Sequence, residues 1–174
     1  MKKISLLLSF LFALTVFTSC DKDDDKSGSN GGGSSKLPEY AELNGIKYFK
    51  FPPMDLYGLN NEICMVEIDE KYPEYVYDSY MGSAAVYEAI CKENRNLFYF
   101  TNDGYEMSKI RVEISTSVLA AADLAQILYN AGILSDGKTS DGGLKYKVPG
   151  DKVVLIITQS GSSLNLDFYG KNYY

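Results

Sequence analysis

Glu67 and Asp69 are the two residues whose types and spacing come closest to a catalytic pattern. In Glu62–Asp69, Cys64, Val66 and Ile68 alternate with polar positions, as in a half-buried strand. A strand would set both acids on one face with Cα atoms about 6.5–7 Å apart. Carboxylates at that range can serve as acid and base in glycoside hydrolysis. The chemistry also needs a cleft that raises one pKa, which a solvent-facing strand does not supply. Histidine chemistry is excluded, because the chain has no His. Ser-His-Asp and Cys-His hydrolysis and His-ligated metal centres are therefore absent.

Tyr72, Tyr75, Tyr77 and Tyr80 crowd around Pro73, interleaved with Glu74 and Asp78. A half-exposed tyrosine ridge can stack on sugars or grip a peptide, with carboxylates accepting hydrogen bonds. Its other reading is ring packing at the rim of a small core, in a chain with 15 Tyr, 8 Phe and no Trp. Tyr57 and Tyr173-Tyr174 extend either picture.

Cys64 and Cys91 form a disulfide or stand as two small buried thiols. A bridge would contribute roughly 3–4 kcal/mol in the chain-entropy picture. Gly132 to Thr139 matches the phosphate-loop pattern G-x-x-x-x-G-K-[ST] in letters only. That loop needs a strand before it and a helix opening at the lysine, whereas here a helix precedes and Ser-Asp-Gly-Gly follows. No nucleotide is expected. Asp136 to Gly143 lacks the ligand rhythm of a calcium loop, and no cofactor or metal is expected.

The elements that must position these residues follow from periodicity. Gly45 to Phe51 reads as an aromatic strand stopped by Pro52-Pro53. Ser83 to Lys92 and Leu97 to Thr101 read as a hairpin turning at Glu93–Asn96, and Asn102-Asp103-Gly104 as the next turn. In Lys109 to Ser115, Ile110, Val112 and Ile114 point in, while Arg111, Glu113 and Ser115 point out. Ser117 caps a helix running to Ala131, with Ala120, Leu124, Ile127, Leu128 and Ala131 on one stripe. Gly132 supplies its left-handed stop, and Ile133 folds back on Leu128. Ser135 to Gly143 reads as a polar loop, Asp151 to Thr158 as a central strand and Leu164 to Tyr169 as a half-buried one. The expected fold is α+β: an antiparallel sheet of five to seven strands packed against one main helix, about 117–131. No internal repeat is legible.

Composition bounds the rest. The formal net charge of −6 becomes −8 once Lys2 and Lys3 are removed. An acidic chain argues against nucleic acid, whose phosphates are met by Lys and Arg. At the N-terminus, Lys2 and Lys3 precede the almost unbroken apolar run Ile4 to Phe17, then Thr18-Ser19-Cys20 and the acidic Asp21 to Lys26. The apolar run is shorter than the ~20 residues that span a bilayer. Charge, apolar run and small residues in that order make a cleaved export signal.

The segment resembles a bacterial lipoprotein signal peptide. The resemblance implies cleavage before Cys20 and acylation of its thiol. The acidic run resembles the surface-export signal of Bacteroidota-type lipoproteins. An Asp directly after the cysteine also resembles the inner-membrane retention signal of other Gram-negative lineages. The length of the run and the spacer behind it favour the outer membrane, facing outward. More than one acyl chain makes attachment stable, since each buried methylene contributes ~0.8 kcal/mol. The Gly/Ser-rich tether up to Lys36 reaches about 20–24 Å.

The expected organisation is a signal peptide at 1–19, a lipidated Cys20 with tether at 20–36, and one globular domain at 37–174. The expected function is a non-catalytic binding or structural module, held to the bilayer through Cys20, for a glycan, a peptide or an envelope protein. A carboxylate-dependent glycan hydrolase and a subunit of a surface protein complex are the alternatives.

Overall fold

The computed structural model describes residues 36–89, 91–92, 94–101, 103 and 105–174. The export signal, Cys20, the acidic run and the tether before Lys36 lie outside them, as do two positions of the turn expected at 102–104.

The chain opens with the hairpin β1 (Tyr40–Leu43) and β2 (Ile46–Lys50), turned by Asn44 and Gly45, both at positive φ. Next come α1 (Asn61–Lys71) and a meander of β3 (Tyr75–Met81), β4 (Ala84–Ala89), β5 (Asn94–Phe100) and β6 (Met107–Ser115). Then α2 (Ala121–Asn130) leads a second meander of β7 (Leu134–Lys138), β8 (Leu144–Lys147), β9 (Val153–Ser160) and β10 (Ser163–Gly170). A 3₁₀ turn, Lys171–Tyr173, ends the chain.

All eight meander strands form one antiparallel sheet in the order β3-β4-β5-β6-β10-β9-β8-β7. The order is palindromic. Each half is one helix followed by four strands, and the halves join where β6 pairs with β10. This duplication of architecture leaves no repeat in the sequence, because each half keeps only its own pattern of apolar positions.

The seam shows how the sheet is oriented. Ile110, Val112 and Ile114 on β6 lie opposite Phe168, Leu166 and Leu164 on β10. Val112 and Ile114 join a core with Leu124, Ile127 and Leu128 of α2 and with Phe49 and Phe51 of the N-terminal hairpin. Ile110, on the same face of β6, joins a second core with Cys64 and Ile68 of α1, Tyr75, Tyr87 and Phe98. Both helices therefore cover one face of the sheet, and the other face carries the odd-numbered positions Lys109, Arg111 and Glu113.

Several expectations are corrected. The fold is mainly β, with two helices and ten strands among the described residues rather than one helix and five to seven strands. Glu62–Asp69 is the body of α1, not a strand. Asn60 caps it, its side chain accepting from the Ile63 N–H at 2.9 Å, and Cys64 and Ile68 then bury as an i, i+4 pair. A short run in which positions 64, 66 and 68 are all apolar fits both periods, and the cap decides it.

The helix at 117–131 begins later, at Ala121. Ser117 instead bonds to Ser115 within a tight turn, and no side chain caps α2. Asn94–Asn96 is strand, not turn. The expected loop Ser135 to Gly143 holds β7, an edge strand of mostly polar residues that pairs with β8.

Candidate functional site

The tyrosines at 72, 75, 77 and 80 do come together, as members of a longer file of rings. Tyr72 meets Tyr75 with centroids 6.5 Å apart, Tyr75 meets Phe98 at 5.7 Å and Phe98 meets Tyr87 at 4.9 Å. Tyr87 meets Tyr77 at 5.4 Å, and Tyr77 meets Tyr80 at 5.7 Å. Every contact is edge-to-face, the arrangement favoured by the ring quadrupole.

The file runs from core to surface. Tyr75 is only 3% exposed, while Tyr77 and Tyr80 are 38% and 50% exposed. The expected ridge therefore has two open members. Tyr75 is a core ring and half-buried Tyr72 is tied down, its hydroxyl donating to Asp55 Oδ1 at 2.7 Å.

Two elements create the open end. Among the described residues β3 is an outer strand of the sheet, paired only with β4. α1 lies beside it, and Met65 Sδ on α1 accepts from the Tyr80 hydroxyl at 3.1 Å. Ile63 and Val66 on α1 are exposed as well, whereas the exposed Val76 and Met81 of β3 lie on the opposite face of the sheet. Exposed Asp69, Glu70 and Asp78 supply negative charge on the same two elements. The result is an exposed tyrosine pair, with carboxylates on the same two elements, beside a strand edge that has no partner among the described residues.

Beneath it lies a polar row. The Tyr75 and Tyr87 hydroxyls and the Asn94 and Asn96 amides are buried without a hydrogen-bond partner among the described residues. Burial pushes both tyrosine hydroxyls well up from their ordinary titration range. Nearby, Lys50 bonds to Glu39 and Glu74. Burial works against its charge, but the two carboxylate hydrogen bonds prevail and its pKa rises.

The carboxylate pair is not assembled. On a helix, residues two apart point about 200° away from each other. Glu67 bonds to Lys71 one turn on, and Asp69 is exposed on its own. The premise of a strand-borne acid pair is therefore withdrawn. Among the described residues no three Cys, Asp or Glu side chains are placed to hold a metal ion.

Cys64 and Cys91 are both free thiols. Cys64 is wholly buried, its Sγ 3.5 Å from the Leu56 carbonyl oxygen, and burial pushes it up to about 12. Cys91 is half-buried in the connection after β4, and burial raises it as well.

Gly132 stands at φ +72 after α2, where the Ile133 N–H donates to the Leu128 carbonyl at 2.9 Å. Gly132 to Thr139 is thus a helix stop running into a strand, not a phosphate loop. Asp136 lies 3.6 Å from Lys145 and 3.2 Å from Lys147 across the β7–β8 pair.

The opposite face of the sheet holds residues that the sequence reading passed over. Tyr99 on β5 lies directly across from Lys109 on β6, which lies across from Tyr169 on β10. The next row places Arg111 across from Asp167. Arg111 grips that carboxylate with two bonds, of 2.6 and 2.7 Å. These residues are scattered over seventy positions, and only strand pairing brings them together. Alternation alone marks them as outward-facing and says nothing about which strands are neighbours.

No helix among the described residues is long and apolar enough to cross a membrane. No protein-family model matches the chain, and no curated protein or solved structure matches it.

Proposed function

We propose that this protein is a lipid-anchored binding module of the bacterial outer surface, held by an acylated Cys20, whose domain docks a partner polypeptide at the β3 edge. One observation carries the reading: Tyr77 and Tyr80 lie open at the end of a ring file rooted in the core, on a strand whose outer edge has no partner among the described residues. A rooted ring offers a large contact area with little rotamer freedom left to lose, as in known protein-binding surfaces. An unpaired strand edge offers backbone donors and acceptors to an incoming extended segment.

The charge around the patch sets the partner's chemistry. Asp69, Glu70 and Asp78 favour an extended segment with apolar residues at alternate positions and Lys or Arg between them. No catalytic role is assigned, because the acid pair that suggested hydrolysis is dispersed on α1.

The test uses the full chain against an array of immobilised polypeptides of graded charge. Binding should concentrate on the cationic, alternating members and should fall at least tenfold in the Tyr77→Ser/Tyr80→Ser double variant. Equal binding by the variant, or a preference for acidic members, overturns the reading.

A further inference from the structure

On the face of the sheet away from both helices, Tyr99, Lys109 and Tyr169 form one row across β5, β6 and β10. Two strand spacings separate the outer members by about 10 Å. The Lys109 ammonium sits 3.9 Å from the Tyr99 ring centroid and 5.4 Å from that of Tyr169. Beyond Tyr169, the Tyr174 ring follows at 5.7 Å, with the Lys145 ammonium 4.8 Å from its centroid. The surface is thus a shallow run of aromatic faces with ammonium groups set between them.

Lys109 is the cation here that stands furthest from its carboxylate. Asp167 is the carboxylate nearest to Lys109, but its Oδ1 is 3.9 Å from the ammonium, beyond hydrogen-bond range. Both of its oxygens already accept from Arg111. Lys109 and Arg111 thus share Asp167, with Glu113 on the same face beyond Arg111 and Asp136 beside Lys145. The Lys109 side chain is 15% exposed, and its ion contact is the one with Asp167 at 3.9 Å. Burial lowers its pKa, Asp167 opposes that, and Arg111 reinforces it.

We infer that this face is a second binding site, separate from the β3 edge, for an acidic saccharide. In that site the sugar rings lie on Tyr99 and Tyr169, and a carboxylate accepts from Lys109. The row matches both halves of such a ligand. A pyranose has one apolar face that covers a tyrosine ring, and a uronic acid carries its carboxylate at the ring edge. Ring faces on either side of a cation, in one line and about two sugar units apart, accommodate an oligomer. A purely acidic peptide such as polyglutamate would satisfy Lys109 but has no ring face to lay on the tyrosines.

The experiment measures binding of the full chain to three probes by calorimetry: oligogalacturonate, the same oligomer fully methyl-esterified, and polyglutamate. Oligogalacturonate should bind, and the esterified oligomer and polyglutamate should bind at least tenfold more weakly. Lys109→Met should lose at least tenfold toward oligogalacturonate, while Lys109→Arg should keep most of the affinity. Tyr174→Ala, a truncation of an exposed residue that does not threaten folding, should weaken binding by a smaller factor. Absence of oligogalacturonate binding by the unmodified chain overturns the proposal, as does equal binding of polyglutamate or an unchanged Lys109→Met variant. The Tyr77→Ser/Tyr80→Ser variant should bind oligogalacturonate as the parent does, which separates this site from the β3 edge.

Discussion

Tyr77 and Tyr80 are three residues apart on one strand, yet their rings meet on the same face, 5.7 Å between centroids. Regular alternation would send them to opposite faces. An irregularity in the β3–β4 register between Tyr77 and Ser79 adds one residue and restores the match. Asp78 occupies that extra position, so the strand twist that pairs the rings also places a carboxylate beside them.

The ring file predicts a division between stability and binding. Phe98 is wholly buried and contacts both Tyr75 and Tyr87. Phe98→Ala should cost about 3–5 kcal/mol in urea unfolding, as for other buried aromatics. The exposed pair should behave oppositely, with Tyr80→Ser changing stability by no more than about 1 kcal/mol.

Asp167→Ala should destabilise the central seam. The mutation removes the partner of a bidentate bond and leaves Arg111 without its hydrogen-bonded carboxylate and Lys109 without its ion contact. A fully buried pair loses ~3–5 kcal/mol when broken, and the partial exposure of Arg111 lowers the expectation to about 2–3 kcal/mol. Replacing both partners, as Arg111→Met/Asp167→Leu, should recover most of that loss in the same melt.

Stability should fall on the alkaline side. Cys64 titrates near its ordinary 9.0 when unfolded and near 12 when folded. Between those values the unfolded chain releases a proton that the folded chain keeps, so the unfolding free energy drops as pH rises. Burial of Tyr75 and Tyr87 acts in the same direction at higher pH. The melting temperature of Cys64→Ala should decline less steeply between pH 9 and 11 than that of the parent.

Thiol chemistry should agree with the free state of both cysteines. Chain purified without reductant and then denatured should give two titratable thiols, from Cys64 and Cys91, with the proposed acylation blocking Cys20. In the native state, alkylation should reach half-buried Cys91 well before buried Cys64. A value near zero after denaturation would mean that the two are bridged.

Much of the architecture was legible wherever one period dominates. Ile110/Val112/Ile114, Leu164/Leu166/Phe168 and the Leu124–Ile127–Leu128 stripe each fit a single template, and each element formed. The failures fall where two templates fit. Cys64, Val66 and Ile68 alternate like a strand while Cys64 and Ile68 also lie one helical turn apart, and the deciding signal was the Asn60 cap. β7 was missed because an outer strand facing solvent need not be apolar. The tyrosine cluster was legible as a cluster, but its partners Tyr87 and Phe98 were not. Nor was the outer-face row, since no local pattern shows that β5, β6 and β10 are neighbours.

Binding through the β3 edge is tested most directly on intact cells, with a photo-reactive phenylalanine analogue at Tyr80 and, as control, at Tyr129. Both positions are exposed, at 50% and 71%, but Tyr129 lies on α2 in the other half. A discrete polypeptide adduct at Tyr80, absent at Tyr129 and lost when Tyr77 is changed to Ser, is the result expected. No adduct at Tyr80, or the same adduct at both positions, would contradict a partner docked on this edge.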